Sequence, residues 1–315
     1  MLKQTLGSRR GDGVLRGAGW AVTTLWALGG AWGCGPAEGP LQEPEEPVLA
    51  LSRAVEHGNG LNLNGLNLNG LNLNGLEAQG LSLEGFATKG FSDWFQGAPT
   101  QRAEVMKYVV ACAVPAGQAR AFTNTATGTT YRWEGLLGLA PGWSDGEEAT
   151  LEELQVVSAC MAAHANKFGI HVTISVRGRD GGGNVLPVSL QESTVYGVQE
   201  ACFFGNLFDG QTGVFSGNDG LSLGSGESSP RVCGLPGVPS GSQCQPMVYV
   251  GSCAAHCTLD ASGGFYTSCT YGGTTYTRPL STRMKVADIA HCGNGTCEAP
   301  EVCGLPSQCA SDCGC

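Results

Sequence analysis

The sequence predicts an α+β fold: a disulfide-rich globular domain, preceded by a short five-residue-repeat segment and followed by a small cysteine-rich module. Three observations carry that expectation. Helical patterning stands early in residues 94–287 and alternating strand patterning stands late. The chain holds 15 cysteines among its 315 residues. Glycine returns at every fifth position from Gly60 to Gly90, which marks an internal repeat.

Residues 1–33 read as a secretory leader. Lys3, Arg9, Arg10 and Arg16 stand against one acid, Asp12, ahead of an apolar core at 20–28 and small residues that run into Cys34. Residues 17–37 carry no charge, but six glycines and two threonines make a poor span beside the ~20 mostly apolar residues a membrane helix needs. Ending on Ala31-Trp32-Gly33-Cys34, the leader resembles bacterial lipoprotein signals, with Ala31 where that family usually carries leucine. The resemblance implies cleavage before Cys34, acylation of Cys34 and attachment to a membrane through that lipid. A plain cleaved leader is the alternative, and a transmembrane anchor is the third reading.

Without the leader, 13 Lys and Arg remain against 26 Asp and Glu, a formal charge of −13. Such a surface argues against nucleic acid or anionic lipid as a partner held by bulk charge. The cysteines are Cys34, Cys112, Cys160, Cys202, Cys233, Cys244, Cys253, Cys257, Cys269, Cys292, Cys297, Cys303, Cys309, Cys313 and Cys315. Committing Cys34 to lipid leaves 14, an even number that could form seven disulfides in an oxidising compartment. The sequence does not fix their pairing.

Residues 34–58 are Pro- and Glu-rich and read as an extended tether. From residue 59 to 93 the pentad runs as three copies of NGLNL, then NGLEA, QGLSL, EGFAT and KGFSD. Leu or Phe follows each glycine, at 61, 66, 71, 76, 81, 86 and 91. A period of five fits neither an amphipathic helix nor an alternating strand; it fits a chain that turns a corner every five residues with its apolar residues stacked inward. The stretch resembles the pentapeptide-repeat family, whose square β-helix the resemblance implies here. Seven units make fewer than two coils, so either a short cap on the next domain or a flexible stalk is expected.

Residues 94–287 alone can build a core. Val105, Tyr108, Val109 and Cys112 share one face of a helix expected over 102–113. Thr150-x-x-Glu153 is a capping box, opening a helix expected to stop near 167–169. Residues 170–177 alternate, which predicts a half-buried strand with Ile170, Val172, Ile174 and Val176 inward and His171, Thr173, Ser175 and Arg177 toward water. Further short strands are expected near 247–250, 264–271 and 274–278.

Residues 288–315 close the chain with a module too short to fold without cross-links. Cys292, Gly293, Asn294, Gly295, Cys297, Glu298, Glu301, Cys303, Cys309, Asp312 and Cys313 resemble the CGNG-x-C-E-x-x-E-x-C modules that end secreted myxobacterial and related bacterial proteins. Leader, repeat and tail together resemble cysteine-rich cell-envelope lipoproteins of myxobacteria. The resemblance implies a compartment and no activity.

Few residues carry candidate chemistry. Gly220-Leu221-Ser222-Leu223-Gly224, followed by Asp288 and His291, has the nucleophile-elbow pattern and residue order of α/β-hydrolases, but turn formers flank it where a strand and a helix are required. Cys160 and His164 stand one helical turn apart, a geometry open to a thiol–imidazole pair but more simply a packing stripe with Cys160 bridged to a cysteine such as Cys112. Cys253-x-x-His256-Cys257 holds zinc-type ligands, against which an oxidising compartment favours disulfides. No cofactor is expected. For structural calcium the candidates are Asn294, Glu298, Glu301 and Asp312 in the tail, with Asp180, Asp209, Asn218 and Asp219 in Gly-rich loops.

The expected function is a binding or scaffold module, exported and anchored in the cell envelope as an outer-membrane lipoprotein. Its partner would be polysaccharide or another envelope protein, with no nucleic acid. Trp94, Phe95, Trp133 and Trp143 are candidate sugar contacts or core. A secreted hydrolase drawing on His164, His171 and Glu192 is the second expectation, and a purely structural surface protein the third.

Overall fold

A computed structural model describes residues 54–55, 61–62, 79–166, 173–209, 213–219, 227–228, 247–288, 290–291, 295–297 and 310–314. The leader, Cys34 and the cysteines at 233, 244, 292, 303, 309 and 315 lie outside them, as do most of the tether, His171, Ser222, Asn294, Glu298 and Glu301.

The described residues begin with two short strands, β1 (Ala54–Val55) and β2 (Leu61–Asn62), and continue with the helices α1 (Leu83–Phe86), α2 (Lys89–Gln96) and α3 (Pro99–Ala113). A hairpin follows, β3 (Ala119–Thr123) and β4 (Thr130–Glu134), then α4 (Pro141–Ser144) and α5 (Leu151–His164). Next come β5 (Ala165–Asn166), β6 (Ile174–Gly178), α6 (Leu190–Val195), β7 (Val198–Asn206) and β8 (Gly213–Asn218). The chain continues through β9 (Glu227–Ser228), β10 (Met247–Ser252), β11 (Cys257–Leu259), β12 (Tyr266–Tyr271), β13 (Thr274–Tyr276) and β14 (Leu280–Met284). It ends with β15 (Ala290–His291) and α7 (Ala310–Cys313).

A six-stranded sheet, ordered β1-β6-β14-β7-β8-β10, forms the centre. Its pairs are antiparallel except β8 with β10. α5 lies on one face, buried from Gln155 to His164, and α3 packs behind it. Ile174, Val176, Ala201, Phe203 and Leu280 join the helices in one apolar cluster on that face. On the opposite face Cys202, Phe204 and Phe215 pack against Tyr266 and Tyr276 of the small β11-β12-β13 sheet. The fold is therefore mixed helix and sheet stapled by disulfides: Cys112–Cys160 joins α3 to α5, Cys202–Cys253 joins β7 to the end of β10, Cys257–Cys269 crosses β11 to β12, and Cys297–Cys313 closes the tail.

Several expectations change. The last three pentads do not turn solenoid corners. They form α1 and the start of α2, because Ser82 and Thr88 cap the two helices by accepting from Gly85 N and Phe91 N. Their apolar centres Leu81, Phe86 and Phe91 are nonetheless buried, in the same cluster as the central domain, so these three point inward from a helical backbone; the earlier centres at 61, 66, 71 and 76 lie outside the residues whose burial is described. The capping box forms as expected, but α5 ends at His164, where Ala165 turns extended to pair with β2. The strand expected over 170–177 is described from Ile174, and it is buried on both faces rather than one: Ser175 and Arg177 are enclosed by α6.

Candidate functional site

The face of the sheet away from α5 carries a line of ionisable side chains. Alternation sends Ser175 and Arg177 of β6 to this face while Ile174 and Val176 enter the main core. Ser189 caps α6 by accepting from Glu192 N, and this first turn aims Glu192 at the strand. Arg177 Nη1 donates to Glu192 Oε1 at 3.0 Å and to Ser175 Oγ, and Ser175 Oγ donates to the same carboxylate oxygen. Ser281 of β14 pairs across from Arg177. Arg177 Nη2, Glu192 Oε2 and Ser281 Oγ are buried and make no hydrogen bond among the described residues. Burial pulls the Arg177 guanidinium down from its ordinary range, Glu192 opposes that shift, and the like charge of Arg283 adds to it.

Arg283 also faces Asp219, just past β8. Burial raises the Asp219 carboxyl, while the Tyr266 hydroxyl bonded to it and the Arg283 charge pull the other way. Tyr266 is pushed well above the ordinary phenol range by burial and by Asp219. Apart from this line, Glu200 of β7 is fully buried and accepts at 2.8 Å from the hydroxyl of Thr282, which pairs with Val176 and Ala201 of the α5 face. Chemically this line can orient dipoles and hold charge. The groups sit under α6 and the small sheet and serve first to join those layers to the main sheet.

An open cleft lies elsewhere, between the start of α2 and the β3–β4 hairpin. It has a volume of about 570 Å³ and is lined by Leu83, Phe86, Ala87, Lys89, Ser92 and the run Ala121–Thr123 with Thr125. Its floor is apolar, its rim supplies hydroxyls and one cation, and Leu83 stands 75% exposed at its edge. β3 pairs only with β4 among the described residues, which leaves it one unpaired edge, and its residues Ala121, Phe122 and Thr123 line the cleft.

The hydrolase candidates do not converge. His164 is buried on α5, with Nδ1 2.8 Å from the Cys160 carbonyl oxygen and its ring against Tyr108. That carbonyl can only accept, so Nδ1 carries the proton. Glu192 is on the opposite face of the sheet, committed to Arg177 and Ser175. Asp288 accepts from the Thr173 hydroxyl at 3.3 Å. Cys112, Cys160 and His164 bring three ligand atoms within 4.8 Å, but the two sulfurs are bonded to each other and offer no thiolate to a metal. Cys253 and Cys257 of the zinc-type motif are likewise in disulfides, with different partners. Of the calcium candidates, Asp180 accepts from Asn184 N at 2.8 Å and closes its own turn, and Asp312 of α7 accepts from Gly295 N at 3.3 Å. Phe95, Trp133 and Trp143 are core; Trp94 is half-buried with Arg102 over its ring at 5.1 Å.

Sequence reasoning missed the ion pair, the Asp219–Tyr266 contact and the cleft. The pair left one usable signal, an arginine that follows the β-branched Ile174 and Val176 within the run Ile174–Gly178. Compared with protein-family models, curated proteins and solved structures, the chain matches none.

Proposed function

We propose that the chain is an exported cell-envelope protein, anchored through lipid on Cys34, that acts as a binding module for an extended segment of another envelope protein. The observation that carries this reading is the cleft beside β3. An apolar floor next to a strand edge suits a peptide that adds main-chain hydrogen bonds to the edge and sets alternate side chains into the cleft. The phenylalanines of the floor, Phe86 and Phe122, are nearly enclosed, which leaves little aromatic face for a sugar ring to stack on. The cross-linked scaffold around it suits an oxidising space. The Pro- and Glu-rich tether of residues 34–58 would carry the domain away from the membrane as a spacer.

Two readouts test this. In a Gram-negative host, labelled palmitate is expected to enter the wild-type chain and to be absent from Cys34→Ala; no label in the wild type overturns the anchor. In the second, the purified chain is titrated with a library of synthetic extended peptides and with peptidoglycan fragments. Peptide binding that falls at least tenfold in Thr123→Pro, which removes an N–H from the β3 edge, supports the reading. Saccharide binding alone, or peptide binding indifferent to Thr123→Pro, overturns it.

A further inference from the structure

Two disulfides meet where the small sheet joins the main one. Cys202 is bonded to Cys253, and Cys257 to Cys269. The Sγ of Cys257 stands 3.9 Å from the Sγ of Cys202, so the two bridges touch. The backbone N–H of Cys202 donates to Cys253 Sγ at 3.1 Å. Gly217, opposite Cys202 in β8, leaves the space: a Cβ there would lie 3.0 Å from Cys253 Sγ and 3.1 Å from Cys202 Sγ. Exposure is graded across the group. Cys202 and Cys253 are fully buried, whereas Cys257 is only half-buried.

We propose that these four cysteines form a thiol–disulfide exchange relay, which takes two electrons from an external dithiol at Cys257–Cys269 and passes them to Cys202–Cys253. Cys257 is the sulfur a reductant reaches first. One thiolate of the dithiol attacks Cys257 Sγ, the Cys257–Cys269 bond breaks, and Cys269 leaves as a thiolate that takes a proton. The second thiol of the reductant then displaces Cys257 as a thiolate and leaves as a cyclic or paired disulfide. Cys257 is now a nucleophile in contact with Cys202 Sγ. Its attack forms a Cys202–Cys257 bond, breaks Cys202–Cys253, and releases Cys253 as a thiolate. That leaving group already accepts a hydrogen bond from Cys202 N–H, which favours its anionic form. Two electrons and two protons have entered, and one disulfide remains.

The exchange changes what is tied to what. Before it, β11 is stapled to β12 inside the small sheet; after it, β11 is stapled to β7 of the main sheet, and β12 carries a free thiol. The relay is thus a redox-set link between the two sheets. It rests on sulfur positions alone and is independent of the cleft.

The test uses the full-length chain under native conditions with limiting tris(2-carboxyethyl)phosphine, an acid quench, alkylation and peptide mapping. In the species that has gained two electrons in this group, Cys253 and Cys269 are expected to carry the label and Cys202 to be bridged to Cys257. Label on Cys257 and Cys269 with Cys202–Cys253 intact overturns the relay. So does label on Cys202 and Cys253 with Cys257–Cys269 intact, and so does a group that resists reduction while folded. The variant Cys253→Ala gives an independent reading, because it leaves three cysteines for one bridge: a Cys202–Cys257 bond with a free thiol at Cys269 supports the relay, and a free thiol at Cys202 overturns it. If that variant does not fold, the partial reduction decides alone.

Discussion

Arg177 and Glu192 form an ion pair inside the protein, 3.0 Å apart, with only 9% and 2% of their side chains exposed. At that burial the pair differs from surface bridges such as Lys107–Glu104, where each partner is about half exposed. Surface pairs contribute ~0–1 kcal/mol. A buried charge left without its partner costs about 3–5 kcal/mol, far more than the intact pair contributes. Glu192→Ala is therefore expected to destabilise the fold by that amount, a fall in Tm on the order of 10 °C for a domain of this size. The double replacement Arg177→Met with Glu192→Leu is expected to recover most of the loss, since neither charge then needs a partner. Thermal and urea unfolding of the three proteins measures this. A double variant no more stable than Glu192→Ala would show that the pair is worth its burial.

Asp219 and Tyr266 make stability depend on pH in one direction. Both are acids whose folded-state affinity for the proton is raised above the ordinary value, first by burial. Between the unfolded and folded values the native chain holds more protons than the unfolded one, so stability falls as pH rises. The Asp219 contribution is present below the ordinary carboxylate range and is lost as pH climbs through it. The Tyr266 contribution is lost above about pH 10, where the unfolded phenol ionises. Asp219→Asn keeps an acceptor for the Tyr266 hydroxyl and removes the first transition. It is expected to match or slightly undercut the wild type below about pH 3.5 and to gain on it toward neutrality. Tm measured from pH 3 to 10.5 on both proteins checks this; parallel curves across the acid limb would contradict it.

Local signals in the sequence were legible where a single element decided the outcome. Thr150 and Glu153 announced their helix start, and Cys160 lay on the stripe that packs against Cys112. Signals failed where tertiary burial overrode the pattern. β7 carries Glu200, Ala201, Cys202, Phe203 and Phe204 in succession, and all are buried. A strand covered on both sides has no alternation to read, so the centre of the sheet was invisible. The same double cover put Ser175 and Arg177 inside, although their alternation with Ile174 and Val176 matched a wet face. Pentad spacing at Leu81, Phe86 and Phe91 told which residues go inward without telling that two helix caps would set the backbone. The cleft and the charged line draw on β3, β6, β8, β12 and β14, whose neighbours in space are distant in sequence, and no local pattern encodes that convergence.

Glu153 does more than close its own capping box. Its Oε2 accepts from Thr150 N at 3.0 Å and from the Thr150 hydroxyl at 3.2 Å, and its Oε1 accepts from Gly142 N at 2.8 Å and Trp143 N at 3.1 Å. One buried carboxylate thus satisfies the first N–H groups of α4 as well as the entry to α5, and its charge suits two helix N-termini at once. Close approach is built into the site: a Cβ on Gly142 would meet Glu153 Oε1 at 3.2 Å, and one on Gly181 would meet Glu153 Cγ at 2.4 Å. Thr150→Ala removes one cap and is expected to cost ~1 kcal/mol. Glu153→Ala strands several donors in a dry region and is expected to cost about 3 kcal/mol or more. Glu153→Gln should fall between them, because its amide keeps one acceptor and turns two N–H donors toward the others. Equal losses in Thr150→Ala and Glu153→Ala, measured by urea unfolding at pH 7, would mean that the bonds to Gly142 and Trp143 contribute nothing and that the carboxylate serves α5 alone.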